Sequence, residues 1–182
     1  MSWLEDNKDL LGNRYEAYAF LNDQLSNVSN PVIVETGSIR QPGNINGDGN
    51  STYLFNDLTL NGGKVYTLDI DPICAKHCNR LFGDNVISLT GDSLETIKLI
   101  NEPIDCLFLD SYDLDWNNDQ PSANHALIEY ETIKQWLKSG TLIAVDDNND
   151  QGGGKGRFLR QVAAEQGWTL LVDSYILVWK LN

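Results

Sequence analysis

Apolar positions along the chain switch between two spacings, and the switches predict an alternation of helices and strands. Leu10, Leu11, Tyr15, Tyr18, Ala19, Leu21 and Leu25 recur at helical spacing and predict an amphipathic helix over 8–27. Short β-branched and leucine runs predict strands over 31–36, 65–69, 86–90, 104–110, 141–145, 169–172 and 175–181. Between them lie helices over 51–60, with Ser51 as N-cap, over 72–82 with Pro72 in the first turn, and over 93–100, 122–138 and 157–166. Asn61-Gly62-Gly63 stops the first of these, and Gly152-Gly153-Gly154-Lys155-Gly156 reads as a flexible loop.

Strands alternating with helices predict an α/β, doubly wound, Rossmann-like sheet of seven mostly parallel strands. Only Asp173 and Ser174 separate the last two strands, too few residues for a right-handed crossover, so these must form a C-terminal antiparallel hairpin. We read 1–182 as one domain, with 1–30 an N-terminal helical segment and 31–182 the core. Ligands of such sheets sit beyond the carboxyl ends of the strands. Glu35, Asp69, Asp110 and Asp146-Asp147 all fall at those ends.

Charge narrows the partners. With 26 acidic against 13 basic residues and a net charge of -13, the chain repels phosphate backbones and anionic membranes. A small-molecule partner is therefore expected, with no nucleic acid and no membrane. No apolar run approaches the roughly 20 residues of a membrane span, and Met1-Ser2-Trp3-Leu4-Glu5-Asp6 lacks a basic segment ahead of an apolar one. A soluble, cytoplasmic protein is expected. Cys74, Cys78 and Cys106 show no disulfide spacing, and Cys74, His77 and Cys78 read as helix packing, with no fourth zinc ligand near by.

Val32-Ile33-Val34-Glu35-Thr36-Gly37-Ser38, then Gly47-Asp48-Gly49-Asn50-Ser51-Thr52, then Leu68-Asp69-Ile70-Asp71, form a series that resembles the class I S-adenosylmethionine-dependent methyltransferases. The likeness runs from Pro31 to Leu181. It implies that Glu35, Thr36, Gly37, Gly47, Gly49, Ser51 and Thr52 belong to the first cofactor motif, although Gly-x-Gly is the family's commoner ending and the insertion 38–46 interrupts it here. The resemblance also implies that Asp69, with Ile70, holds the ribose hydroxyls, that Asp92 and Ser93 contact the adenine, and that Asp110 lies next to the transferred methyl. A carboxylate suits the ribose role because it accepts two hydrogen bonds at once.

Gly140-Thr141-Leu142-Ile143-Ala144-Val145-Asp146-Asp147 is similar to the fifth-strand segment of catechol and caffeoyl-coenzyme A type O-methyltransferases. That likeness implies a divalent cation, Mg2+ or Mn2+, on Asp110, Asp146 and Asp147, which would orient and acidify an acceptor hydroxyl. The alternative reading leaves Asp146 capping a strand end and Asp147 facing water, with Asn148, Asn149 and Asp150 forming a solvated loop. Asp110, Asp146 and His125 are the candidate catalytic groups, His125 as a general base overhanging the acceptor or as a polar first-turn residue. Lys155 and Arg157 read as ordinary loop cations or as a clamp for an anionic acceptor, and Trp116 as a ring platform or a packing anchor. O-methylation of a small molecule is the expected activity. A binding subunit of the same fold without catalysis is a second reading, and a nicotinamide-dependent oxidoreductase a third, opposed by the lateness of Gly47-x-Gly49. The N-terminal helix or a second copy of the chain is expected to cover the acceptor side.

Overall fold

The computed structural model describes residues 2–149 and 151–182, so Met1 and Asp150 lie outside the described residues. Seven strands are present: β1 (Val32–Thr36), β2 (Lys64–Asp69), β3 (Val86–Thr90), β4 (Ile104–Leu109), β5 (Leu137–Val145), β6 (Thr169–Asp173) and β7 (Leu177–Lys180). They form one sheet in the order β3-β2-β1-β4-β5-β7-β6. Pairing is parallel from β3 through β5 and antiparallel on both sides of β7. The α/β doubly wound, Rossmann-like sheet with its terminal antiparallel hairpin is thus present.

Helices cover both faces: α1 (Trp3–Asp6), α2 (Lys8–Leu11), α3 (Tyr15–Leu25), α4 (Ile45–Asp48), α5 (Ser51–Thr59), α6 (Pro72–Leu81), α7 (Ser93–Thr96), α8 (Gln120–Ile133) and α9 (Arg157–Gln166). The pleat of β4 divides the core. Cys106 and Phe108 pack with Leu21, Leu25 and Phe55 on one face, while Leu107 and Leu109 pack with Tyr130 and Leu159 on the other. Both sets are withdrawn from water, which is why β4 reads as an unbroken apolar run. Cys74, Cys78 and Cys106 are buried free thiols.

Several boundaries differ from the sequence expectation. The helix expected over 8–27 breaks at Gly12, whose φ of 53° leaves the right-handed helical region, and α3 starts afresh at Tyr15. Ser51 is not the N-cap of α5: Asn50 takes that place in left-handed geometry, and Ser51 becomes the first helical residue. The helix expected to reach 138 ends at Ile133, and β5 starts at Leu137 rather than 141. There the register against β4 shifts between Ile104 and Cys106, and the Thr141 hydroxyl donates to the Ile104 carbonyl at 2.6 Å. Among the described residues no helix is long and apolar enough to cross a membrane.

Candidate functional site

Glu35 is the penultimate residue of β1, its carboxylate turned to the start of α5. It is 1% exposed and accepts hydrogen bonds from the hydroxyls of Ser51, Thr52 (2.6 Å) and Thr67 (2.7 Å). Burial pushes its carboxyl up to about 7, against those three hydroxyls, which favour the charged form. Glu35, Ser51 and Thr52 therefore lie behind the strand ends, bracing the chain that leaves β1. Thr36 is also buried, donating to Glu129 at 3.0 Å.

Gly37 carries the chain out of β1 with φ 84°, and a Cβ there would stand 2.6 Å from the Asp110 carbonyl oxygen. Only glycine permits that approach of the β1 and β4 ends. Above it opens a cleft of about 550 Å3 lined by Gly37, Asp69, Ile70, Asp92, Ser93 and His125. An adjoining recess of about 160 Å3 brings in Ser38 and Asp110. The Asp69 carboxylate accepts the Ser38 amide at 3.0 Å on one oxygen and the Asp71 amide at 2.9 Å on the other. Each oxygen keeps a lone pair, so the group is oriented and can still accept two further bonds. Asp92 caps α7 through the Leu94 amide at 2.9 Å and remains exposed at the cleft edge.

Gly47 and Gly49 do not line this cleft. Both belong to the short α4 turn and its end, where a Cβ on Gly49 would press into Arg14 and the Tyr18 hydroxyl. His125 enters beside Ser93, 2.9 Å away, and Glu129, 3.3 Å away, with the Tyr112 ring at 5.2 Å. The Glu129 carboxylate holds the imidazole above its usual range, against partial burial. His125 thus stands with Asp92 and Ser93, whereas Asp110 is held at the β4 end by a different set of partners.

Asp110, Asp146 and Asp147 do converge, and two protein cations converge with them. Lys155 is 3% exposed and bonds both Asp110 and Asp147, the second at 2.9 Å. Arg14 Nε meets Asp146 at 2.9 Å, its guanidinium lies 4.9 Å from the Tyr175 ring centre, and the Tyr175 hydroxyl donates to Asp147. Burial raises the Asp110 carboxyl, Lys155 opposes the rise, and Asp146 and Asp147 add to it. Three carboxylates facing an ammonium and a guanidinium are nearly neutralised. The donor set does not fit a divalent cation, because a metal would have to displace Lys155 and meet the Arg14 charge. Among the described residues no cluster of His, Cys, Asp and Glu has the arrangement of a metal site.

Lys155 is accordingly no solvated loop cation. The glycine loop is docked on the end of β5: Gly154, φ 105°, bridges Asn148 and its amide donates to Asp119 at 2.8 Å. Asn148 is buried, bonding the Val145 carbonyl at 2.7 Å, and Asp146 is fully buried, so neither is solvated, while Asp150 of the same expected loop lies outside the described residues. Arg157 pairs with Asp119 at 2.6 Å. Arg14, Glu129 and Tyr175 escaped the sequence reading. Arg14 lies 132 residues from Asp146, and no local pattern announces that pairing.

No protein-family model matches the sequence, and no curated protein matches it. Solved structures do match. The MycE methyltransferase of the mycinamycin biosynthetic pathway, in complex with Mg, SAH and mycinamycin VI, aligns at TM-score 0.62 and 14% identity over 91% of this chain and 48% of that one. The chain thus spans about half the length of MycE. An rRNA methylase from Streptococcus thermophilus aligns at TM-score 0.60 and 17% identity over 93% of this chain and 97% of that one. SAH-bound Podospora anserina methyltransferase PaMTH1 aligns at TM-score 0.61 and 16% identity over 99% of this chain and 85% of that one. Strand order, terminal hairpin and these alignments agree: the chain has the fold of the class I S-adenosylmethionine-dependent methyltransferases.

Proposed function

We propose that the protein is an S-adenosylmethionine-dependent methyltransferase acting on a hydroxyl of a small molecule. The observation that carries this is the row of Gly37, Asp69, Asp92 and Asp110 along the ends of β1 to β4, bordering a cleft and the recess that adjoins it. Gly37 admits the cofactor close to backbone, Asp69 offers two acceptor oxygens to a ribose diol, and Asp92 with Ser93 faces the adenine. The acids also suit a sulfonium cation and oppose a pyrophosphate. The bound cofactor supplies the electrophilic methyl. The chain's own residues hold the acceptor in line with it, and alignment alone accounts for much of such a rate.

Asp110 stands where an acceptor proton can be received, and Lys155 fixes the orientation of its carboxylate. His125, held by Ser93 and Glu129, is assigned to the cofactor side rather than to proton removal. No step runs through a metal. A small molecule is favoured over nucleic acid because Arg14, Lys155, Arg157 and Arg160 around these strand ends are each paired to an aspartate.

Calorimetric titration with S-adenosylmethionine and S-adenosylhomocysteine, each with and without Mg2+, tests the reading. Micromolar binding unaffected by Mg2+ is the expected result. Absence of binding to either ligand would overturn it.

A further inference from the structure

A second cleft, of about 770 Å3, lies between the N-terminal helices, the loop after β4, the loop after β5 and the turn between β6 and β7. Its volume is that of a small-molecule site. Tyr175 links this cleft to the Asp110–Lys155–Asp147 cluster: its hydroxyl bonds Asp147, which shares Lys155 with Asp110, while the residue itself lines the cleft. The loop after β4 borders both clefts, with Ser111 and Tyr112 at the first and Trp116 at the second.

The lining has a definite chemistry. Trp116 is 53% exposed, with no aromatic or cationic partner on its ring among the described residues. Asn13, Asn149 and Ser174 supply uncharged donors and acceptors, and Glu16 and Asp173 supply negative charge. No lysine or arginine lines the cleft among the described residues, and Arg160 at its edge is paired with Asp173 at 2.6 Å. An anion would meet carboxylates without a counter-charge. Two of the aromatic faces near the cleft already carry protein cations, Lys8 over the Tyr15 ring at 4.7 Å and Arg14 over the Tyr175 ring at 4.9 Å, which leaves Trp116 as the open ring.

We infer that this cleft is a ligand site separate from the cofactor cleft and takes an uncharged, hydroxyl-bearing ring compound that stacks on Trp116, to the exclusion of carboxylate- and phosphate-bearing ligands. The inference rests on the lining of this cleft alone.

Ligand-observed NMR on the protein, with and without S-adenosylhomocysteine, tests it with three matched probes: phenyl β-glucoside (neutral), phenyl β-glucuronide (anionic) and phenyl β-glucosaminide (cationic). The glucoside is expected to bind, the glucuronide to bind at least about tenfold more weakly, and Trp116→Ala to weaken the glucoside by about fivefold. Trp116→Phe should restore most of the loss. Equal or tighter binding of the glucuronide or the glucosaminide would overturn the ligand class. Glucoside binding that is absent, or unchanged in Trp116→Ala, would overturn the site. If the glucoside behaves as expected but S-adenosylhomocysteine does not bind, the ring site stands and the methyltransferase reading falls.

Discussion

Glu35 shows how little a motif letter says about the side chain's work. An acid at the end of a first strand resembles a cofactor ligand, yet here three hydroxyls enclose it and burial raises it to about 7 from an ordinary 4.5. A raised carboxyl favours the folded state in its protonated form. That contribution is complete below the unfolded value and is lost as pH rises through the folded one, so unfolding free energy should fall by up to about 3 kcal/mol between the two values. Glu35→Gln should flatten that segment in urea titrations run at a series of pH values; an unchanged slope would count against it. Asp69 makes the opposite case, half-exposed and held by two backbone amides with capacity to spare. Asp69→Ala should weaken S-adenosylhomocysteine on the order of a hundredfold while circular dichroism stays native. Its strand-end position was legible in the sequence. The enclosure of Glu35 was not, because Thr67 reaches it from the neighbouring strand and Ser51 and Thr52 from a helix beyond the 38–46 insertion.

At the scale of elements, the glycine loop and the end of β5 act as one piece. Gly154 has φ 105° and its missing Cβ would lie 2.1 Å from the Asp147 carbonyl oxygen, while Asp147 itself adopts φ 57°. These two turns place Lys155 between Asp110 and Asp147. Gly154→Ala should destabilise the fold by about 2 kcal/mol or more, read by chemical denaturation. Lys155→Ala should cost about 3–5 kcal/mol, because it strands two carboxylates. With the cluster neutralised from within, Mg2+ or a chelator should leave the thermal midpoint unchanged; a rise specific to Mg2+ would mean that the acids do take a metal. The glycine run looked like a hinge in sequence, since composition cannot distinguish a free loop from one whose glycines permit close docking. α8 carries the corresponding support on the other side: its Glu129 ties Thr36, Ser111 and His125 together.

Across the whole molecule, the -13 charge and the pairing of the cations at the strand ends point the same way. Binding to a labelled rRNA fragment at physiological salt should be no stronger than nonspecific, measured by fluorescence anisotropy. Salt-sensitive tight binding would return the acceptor to nucleic acid. The N-terminal helices border the second cleft through Gly12, Asn13, Tyr15 and Glu16, and Arg14 beside them anchors to Asp146.

What the sequence by itself determined was the alternation of elements, the reversal of the last strand and the placing of acids at strand ends. These follow from local periodicity and from a two-residue gap that admits only a hairpin. What only the tertiary structure decided was the company each acid keeps. Asp69 faces an open cleft, Glu35 is enclosed by hydroxyls, and Asp110, Asp146 and Asp147 share Lys155 and Arg14. Such partners meet across the folded chain, over sequence separations as long as 132 residues. The charge state and solvation that set a carboxylate's chemistry are properties of that meeting, so they have no signature in the residues on either side.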